Sequence, residues 1–179
     1  MNSVLVSGTG LGAVRGDRVL FADVGVRVQA GELVLLRGLN GSGKTTLLRQ
    51  LAGLSQPQAG TVSRPVAHHW VGHANGLKAH ETPRRHLRHW ARVWGGDTVI
   101  DGVLEAMAMA RPADVPSRML SAGQKRRTAL ARLLLVSRPL WLLDEPFNAL
   151  DTDGQALLAG LIARHRRDGG AVVAALHGD

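Results

Sequence analysis

A glycine-rich segment in the first third of the chain has the residue types of a phosphate-binding loop. It matches the pattern G-x-x-x-x-G-K-[ST] in full and consists of Gly38, Leu39, Asn40, Gly41, Ser42, Gly43, Lys44, Thr45 and Thr46. Glycines let successive backbone N–H groups approach an anion closely, without obstruction by a Cβ atom. The segment predicts a site for a nucleoside triphosphate, in which Lys44 reaches the β- and γ-phosphates and the Thr45 hydroxyl binds Mg²⁺.

The residues on both sides of this loop could position it. The apolar stretch 32–37 is typical of a buried strand, and residues 47–53 are good helix formers closed by Gly53. A strand, a loop and a helix in this order aim backbone N–H groups and a helix N-terminus at one anion. The alternative is a glycine-rich turn that binds nothing, and the complete pattern in this context disfavours it.

Two adjacent carboxylates, Asp144 and Glu145, are a second candidate for chemistry. They follow the apolar run 140–143, which predicts a buried strand that delivers both side chains beside the phosphate loop. There, Asp144 would hold Mg²⁺ through water, and Glu145 would orient or deprotonate the attacking water. Many strands end in acidic turns, but the phosphate loop upstream favours the hydrolytic interpretation.

A third segment combines a helix N-cap with a small residue. It consists of Leu120, Ser121, Ala122, Gly123 and Gln124, and it precedes a strongly helical stretch, 125–132. A serine N-cap at a helix N-terminus can form an anion site of its own. In isolation, an ordinary capped helix is the better interpretation, so its meaning depends on the other two segments.

The wider pattern predicts an α/β core over about 1–72 and 137–179, with a helical subdomain over about 73–136. In the core, a first strand is predicted to end at Val6, because Gly8, Gly10 and Gly12 indicate turns. In the helical part, Thr82 followed by proline predicts an N-cap, and residues 99–110 predict a second helix.

The composition is that of one globular domain, with 179 residues, 45% hydrophobic and 20% charged. The net charge of +8 favours polyanions: nucleotide, nucleic acid or an anionic membrane face. The absence of cysteine excludes disulfides and thiol chemistry. No signal peptide is predicted, and no run approaches the ~18 apolar residues of a membrane span.

The three segments, in this order and spacing, resemble the ATP-binding-cassette (ABC) ATPases over nearly the whole chain. The resemblance implies a P-loop NTPase core of the α/β class, with an antiparallel β part and a helical insert. It also implies that two copies enclose two ATP molecules, so that residues 120–124 of one copy contact the ATP held by Lys44 of the other. His177, after the last apolar strand, resembles the family's switch histidine and joins Glu145 and Lys44 as a catalytic residue. The residues that resemble its D-loop are Asn148, Ala149, Leu150 and Asp151.

Within the ABC family, the chain is most similar to the CcmA subfamily, the ATP-binding subunits of cytochrome c maturation. The more discriminating residues are Trp141 and the loop from Gly72 to Lys78, which reads Gly-His-x-x-Gly-Leu-Lys. The resemblance implies ATP hydrolysis coupled to haem export or delivery, with a homodimer on ATP binding and a CcmB-like integral membrane permease as partner. It places the chain on the cytoplasmic face of the inner membrane, with no nucleic acid expected.

The sequence departs from the ABC pattern in several places, one of which is Arg85-His86 where relatives have a Glu-Asn pair at the start of the insert helix. The family's glutamine near the start of the helical insert is absent, so His73 or Asn75 substitutes for it or the role is lost. The aromatic residue that stacks on adenine is absent too, and Arg15, whose guanidinium plane can stack on a base, is the candidate in its place. The chain also ends at Asp179, earlier than members of the family do.

Several alternatives stay open at this stage. The charge permits a soluble ABC ATPase that acts on nucleic acid, and the departures permit a nucleotide-binding regulator without catalysis. His86 and His89 have a helical spacing that suits haem or a metal ion, but a solvated basic face is the favoured interpretation. Trp90 and Trp94 are expected in the core of the insert rather than on a docking patch.

Overall fold

The structure, a computed structural model, describes residues 3–177. Within that range the chain forms two compact units. The first contains residues 3–72, 138–146 and 162–177, and the second contains residues 73–137 and 147–161. The assignment of 73–136 alone to a helical subdomain stays a prediction.

All seven strands of the described range lie in the first unit. They are β1 (Val4–Arg15), β2 (Arg18–Gln29), β3 (Leu33–Leu36), β4 (Ala59–Ser63), β5 (His68–Val71), β6 (Leu140–Asp144) and β7 (Ala171–Ala175). One sheet is antiparallel with the order β2-β1-β4, and the other is parallel with the order β3-β7-β6-β5. This combination of an α/β core with an antiparallel part confirms the predicted fold class.

Residues 3–177 form five α-helices and two short 3₁₀ turns. They are α1 (Lys44–Leu51), α2 (Pro83–Trp94), α3 (Ile100–Ala106), α4 (Ala122–Ala131) and α5 (Thr152–Arg167), with 3₁₀ turns at Ser117–Met119 and Arg132–Leu134. No helix within residues 3–177 combines the length and the apolar character that a membrane span requires.

The core of the first unit packs α1 against the buried strands β6 and β7. Leu140 and Leu142 of β6, Val173 of β7, and Leu48 and Leu51 of α1 are fully buried. Every residue of β6 and β7 is buried, which explains why their sequences are continuous apolar runs rather than alternating ones. Burial on both faces fixes the position of β6, the strand that ends at Asp144 and is followed by Glu145.

The prediction that the first strand ends at Val6 is wrong, because β1 continues through three glycines to Arg15. The pairing with β2 shifts register between Gly8 and Leu11, so the glycines lie at bulges rather than at chain reversals. Gly10 has a φ of 62°, and a Cβ atom on Gly8 would lie 2.5 Å from Leu11 Cδ1. These glycines therefore permit the register shifts along β1.

Trp141 of β6 packs against a histidine from α5. Its ring is stacked on that of His165, with centroids 3.9 Å apart and planes 5° from parallel. A Cβ atom on Gly170 would lie 2.2 Å from the His165 ring, so only glycine leaves room for the imidazole there. Trp141 therefore has a structural role, because it packs on the His165 ring that contacts Gly170, the residue before β7.

Replacing Gly170 by alanine is therefore expected to destabilise the protein, by about 1–3 kcal/mol for an overpacked site. Gly160→Ala is the matched control, because nothing lies within 4 Å of a Cβ on Gly160, within α5. Alanine there should be neutral or stabilising by up to ~1 kcal/mol. Thermal unfolding followed by circular dichroism measures both. Equal melting temperatures for the two variants would contradict this packing.

The second unit is built around α2, α3 and α4. Thr82 is the N-cap of α2, where its hydroxyl accepts a hydrogen bond from Arg85 N at 3.3 Å, as predicted. The helix predicted over 99–110 is shorter, because Ala108 adopts a left-handed φ of 54° and Met109 N donates to Leu104 O at 2.7 Å. This left-handed residue and this hydrogen bond end α3, and alanine takes the position that glycine usually occupies.

The interpretation of His86 as part of a solvated basic face is wrong. Its side chain is 2% exposed, and its Nδ1 lies 2.9 Å from Glu81 Oε2, while His89 is exposed. Within residues 3–177, no cluster of three or more His, Cys, Asp or Glu side chains could hold a metal ion. Trp90 and Trp94 are half-buried and pack on each other with centroids 4.9 Å apart, so neither is fully in the core.

Stability is expected to fall on acidification, because burial lowers the pKa of His68, His86 and His165. Below about pH 6.5 the unfolded chain binds a proton at each histidine, whereas the folded chain resists protonation. Stability from these groups is therefore complete above that pH and is lost as the pH falls from there toward the lowered pKa values of the folded chain.

The melting temperature measured from about pH 7 to about pH 5 tests this expectation. His165→Phe should retain the stack on Trp141 and flatten the pH dependence, while His80→Gln, at an exposed position, should leave it unchanged. A melting temperature that does not change over this range would show that these histidines are not buried in the neutral form.

Candidate nucleotide-binding site

The predicted phosphate loop connects β3 to α1 and is shaped by glycine torsions. Gly38, Gly41 and Gly43 have φ values of 146°, 77° and 97°, all in the region that favours glycine. Gly43 is the N-cap of α1, and a Cβ atom there would lie 2.8 Å from the Phe21 ring. The loop conformation therefore depends on glycine both for its torsions and for its contact with β2.

The Lys44 ammonium folds back over the loop. Its Nζ donates hydrogen bonds to Gly38 O at 2.5 Å and to Leu39 O at 3.1 Å. Two carbonyl acceptors hold the positive charge at the loop's opening, where an anion bound by the loop N–H groups would meet it.

Thr45 and Asp144 lie together although 99 residues separate them in the sequence. Thr45 Oγ1 lies 3.0 Å from both carboxylate oxygens of Asp144. Asp144 is 2% exposed at the end of β6, so its carboxylate is held in place by the buried strand. A hydroxyl and a carboxylate are hard oxygen ligands of the kind that Mg²⁺ prefers.

Glu145 leaves β6 in a left-handed conformation, with a φ of 50°. Its N–H donates to Ala175 O at 3.0 Å, and its Oε1 lies 3.5 Å from His177 Nδ1. His177 Nε2 in turn lies 3.4 Å from Asn40 Nδ2 in the phosphate loop. The Glu145 side chain is 18% exposed and that of His177 57%, so a half-buried carboxylate and an exposed imidazole meet beside the loop.

An open cleft of about 620 Å³ lies over these residues. It is lined by Arg15, Arg18, Leu20, Asn40, Gly41, Gly43, Lys44, Thr45, Thr46, Arg49, Ser55 and Glu145. Four of the side chains are cationic and one is acidic, which suits a polyanion such as a triphosphate. The cleft includes Arg15 at the end of β1, the candidate for the adenine contact.

Sequence reasoning missed two of the arginines in this lining. Arg18 pairs with Arg15 across the two-residue turn between β1 and β2. Arg49 follows Thr45 by one turn of α1, so the helix carries it to the same side. Sequence alone could have predicted both positions. The two-residue hairpin turn places Arg18 opposite Arg15, and helical spacing places Arg49 on the same side of α1 as Thr45.

The segment 120–124 lies in the second unit and begins α4 with a capping box. Ser121 Oγ accepts a hydrogen bond from Gln124 N at 3.1 Å, and Gln124 Oε1 accepts one from Ser121 N at 2.9 Å. A Cβ atom on Gly123 would lie 3.0 Å from Ala149 O. The glycine therefore permits a close approach of the predicted D-loop, in which Ala149 has a left-handed φ of 63°.

Asp151, the last residue of the predicted D-loop, has one hydrogen-bond partner in α4 and one at the start of α5. Its Oδ1 accepts hydrogen bonds from the Arg127 guanidinium and from Gly154 N. These bonds, the one from Arg127 above all, hold the pKa of the Asp151 carboxyl below its ordinary value. Arg127 therefore connects α4 to the D-loop within the second unit.

The two candidates for the missing glutamine differ in their surroundings. Asn75 is half-buried, and its Oδ1 accepts a hydrogen bond from Arg126 Nη1 at 3.3 Å. Arg126 is only 3% exposed, so Asn75 is fixed to a buried side chain, whereas His73 is exposed.

Comparison with known proteins places the chain in a class. Residues 21–148 match the family described as ABC transporter. A solved structure described as the ATP-binding subunit of an ABC transporter is similar, with a TM-score of 0.85 at 23% identity over 97% of this chain and 79% of its own. A second, a putative ABC transporter ATP-binding protein from Pyrococcus furiosus, has a TM-score of 0.81 at 21% identity, over 97% and 92%.

Curated relatives are similar at the level of sequence. The cytochrome c biogenesis ATP-binding export protein CcmA of Hyphomonas neptunium is 57% identical, over 97% of this chain and 90% of its own length. CcmA of Rhodospirillum rubrum is 46% identical, over 98% and 81%, and that of Methylococcus capsulatus is 42% identical, over 99% and 93%.

Fold, site and matches together define an ATP-binding subunit of an ABC transporter, which is an ATPase. Within this class, the chain belongs to the CcmA family of cytochrome c biogenesis proteins. The recognition made from sequence motifs is thereby confirmed.

Proposed function

We propose that this chain hydrolyses ATP to drive haem export or delivery for cytochrome c maturation. It would act through an integral membrane permease of the CcmB type, as a peripheral subunit on the cytoplasmic face of the inner membrane. The observation that carries the proposal is the 57% identity over 97% of the chain with a cytochrome c biogenesis ATP-binding export protein.

The loop and the arginines of the cleft bind the nucleotide in this proposal. Residues 38–46 surround the phosphates with backbone N–H groups, and Lys44 turns from its carbonyl partners toward the β- and γ-phosphates. The Arg15 guanidinium stacks on adenine in place of the usual aromatic ring. The cationic lining of the cleft supports this assignment.

Thr45 and Asp144 are the residues that would hold Mg²⁺. The hydroxyl and the buried carboxylate are a fitting donor set, because they already lie 3.0 Å apart at the loop. The ion, when bound, would neutralise charge on the β- and γ-phosphates.

Glu145 is the proposed general base. Its carboxylate accepts a proton from the water that attacks the γ-phosphorus, and the bond to the bridging oxygen of ADP breaks. His177, next to Glu145 and Asn40, orients the carboxylate and senses the γ-phosphate. The left-handed backbone of Glu145 is the kind of strained conformation that accumulates at functional sites.

The catalytically competent state in this proposal is a dimer. Residues 120–124 of a second copy contact the γ-phosphate, with Ser121 and Gly123 closest to it. Residues 148–151 transmit the closing of the two chains around the nucleotide. Asn75, fixed to Arg126, takes the role of the missing glutamine in preference to the exposed His73.

Complementation of a strain that lacks its own protein of this family tests the proposal. The readout is covalently bound haem in c-type cytochromes, with Lys44→Ala as the inactive control. We expect the wild-type chain to restore haem attachment and the control to fail. If the wild type hydrolyses ATP in vitro but does not restore haem attachment, the haem assignment is wrong and the ATPase assignment stands.

A further inference from the structure

One face of α2 is strongly basic, and three of its arginines form no salt bridge within residues 3–177. The helix carries four arginines and no Asp or Glu. Arg84 pairs with Asp101 and Asp114. The other three, Arg85, Arg88 and Arg92, are exposed, and none forms an ion pair with any residue of the described range 3–177. Their charge therefore faces solvent with no salt bridge to offset it.

These three arginines are gathered on one side of the helix. Arg85, Arg88, His89 and Arg92 follow the i, i+3, i+4, i+7 spacing and line a shallow concavity of about 360 Å³. Glu81 is the one carboxylate in that lining, and it is already bonded to the buried His86. The concavity is thus an anion-attracting surface, with guanidinium groups that match the geometry of phosphate oxygens.

Apolar side chains accompany the arginines. Val93 is 58% exposed on the same helix, and Val99, at the N-cap of α3, is 72% exposed. Trp90 and Trp94 pack on each other on the opposite side of α2, so the valines are the exposed apolar neighbours. An exposed valine next to exposed arginines suits a membrane interface, where cations bind headgroups and an apolar side chain reaches the acyl boundary.

We propose that the α2 basic face, defined as Arg85, Arg88, His89, Arg92 and Val93, docks on an anionic membrane surface. The guanidinium groups bind lipid phosphates, and Val93 contacts the boundary of the acyl chains. The chain belongs to a transporter family, so such a contact would hold it at the bilayer in addition to any permease. The proposal involves neither nucleotide nor catalysis, so it stands or falls separately from the function proposed above.

Vesicle flotation of the full chain without nucleotide tests this docking. Vesicles of phosphatidylcholine alone are compared with vesicles that also contain phosphatidylglycerol. The test variant replaces the three α2 arginines by glutamine: Arg85→Gln, Arg88→Gln and Arg92→Gln. The control variant removes the same charge from exposed arginines outside α2: Arg27→Gln, Arg111→Gln and Arg167→Gln.

We expect the wild type to bind only the anionic vesicles. The α2 variant should lose about 100-fold in partition coefficient, because each arginine near an anionic surface contributes about fivefold. The control variant should lose much less, and both variants should retain ATPase activity because none of these arginines lines the nucleotide cleft.

Three results would overturn the proposal. The wild type could fail to bind anionic vesicles, or the control could lose as much affinity as the α2 variant, which would reveal unspecific charge attraction. The α2 variant could also retain vesicle binding but lose binding to the permease, which would assign the α2 basic face to an acidic protein segment.

Discussion

Replacing Glu145 by glutamine is expected to stop ATP turnover while ATP binding persists. The amide keeps the size of the carboxylate but cannot accept a proton from water. A general base contributes about 10²–10⁴-fold, so kcat should fall by that factor. Phosphate release in steady state measures turnover, and equilibrium binding of labelled ATP measures affinity.

The backbone contact of Glu145 should be the same in the glutamine variant, so the substitution changes only the side-chain chemistry. The residue is held through its backbone by the bond from its N–H to Ala175 O, which glutamine retains. Because bound ATP is no longer cleaved, the variant should accumulate as an ATP-bound dimer in gel filtration. Glu105→Gln, on the exposed side of α3, is the matched control and should turn over normally. Normal turnover by Glu145→Gln would remove Glu145 from the mechanism.

Replacing Lys44 by alanine is expected to abolish tight nucleotide binding. Hydrogen bonds from a charged donor contribute about 1.5–3 kcal/mol each, so the loss of one or more raises Kd by at least about 10–100-fold. The fold should survive, because the Gly38 and Leu39 carbonyls that Lys44 contacts can bind water instead. Isothermal titration with ATP measures the effect.

A matched variant separates this effect from the loss of charge alone. Lys78→Ala removes one exposed lysine that does not line the cleft, and it should leave Kd unchanged. If Lys44→Ala and Lys78→Ala bind ATP equally well, Lys44 does not contact the phosphates and the loop has another function.

The local parts of the site could be predicted from sequence because each is encoded by a short pattern. The loop residues and the acidic end of β6 are contiguous in the chain, and burial of β6 fixes the direction of both carboxylates. The order of strands is not local: β7 lies between β3 and β6. That order brings His177, which follows β7, to the same edge as Asn40 and Glu145.

The features that sequence reasoning missed depend on tertiary packing. The glycines in β1 were interpreted as turn residues, because turns and β-bulges both require backbone torsions that glycine adopts easily. His86 looked solvated because its neighbours are arginines, but helical spacing puts it beside Leu87 on the buried side, with Glu81 as partner. Neither the left-handed φ of Glu145 nor the approach of Ala149 O to Gly123 leaves a signal in the sequence.

The claim on which the proposed mechanism depends is that each active site is shared between two chains. Lys44→Ala disables the phosphate loop, and Ser121→Asp retains a helix cap while placing a negative charge against the γ-phosphate of the opposite chain. Each variant alone should be inactive. A mixed dimer of the two contains one site with an intact Lys44 and an intact Ser121.

ATPase activity of the mixed variants is the most direct measurement. The shared-site mechanism predicts that activity, absent from either variant alone, returns when the two are mixed. A mixture that stays inactive, although subunit exchange is verified with labelled chains, would show that each site is built within one chain and would contradict the mechanism.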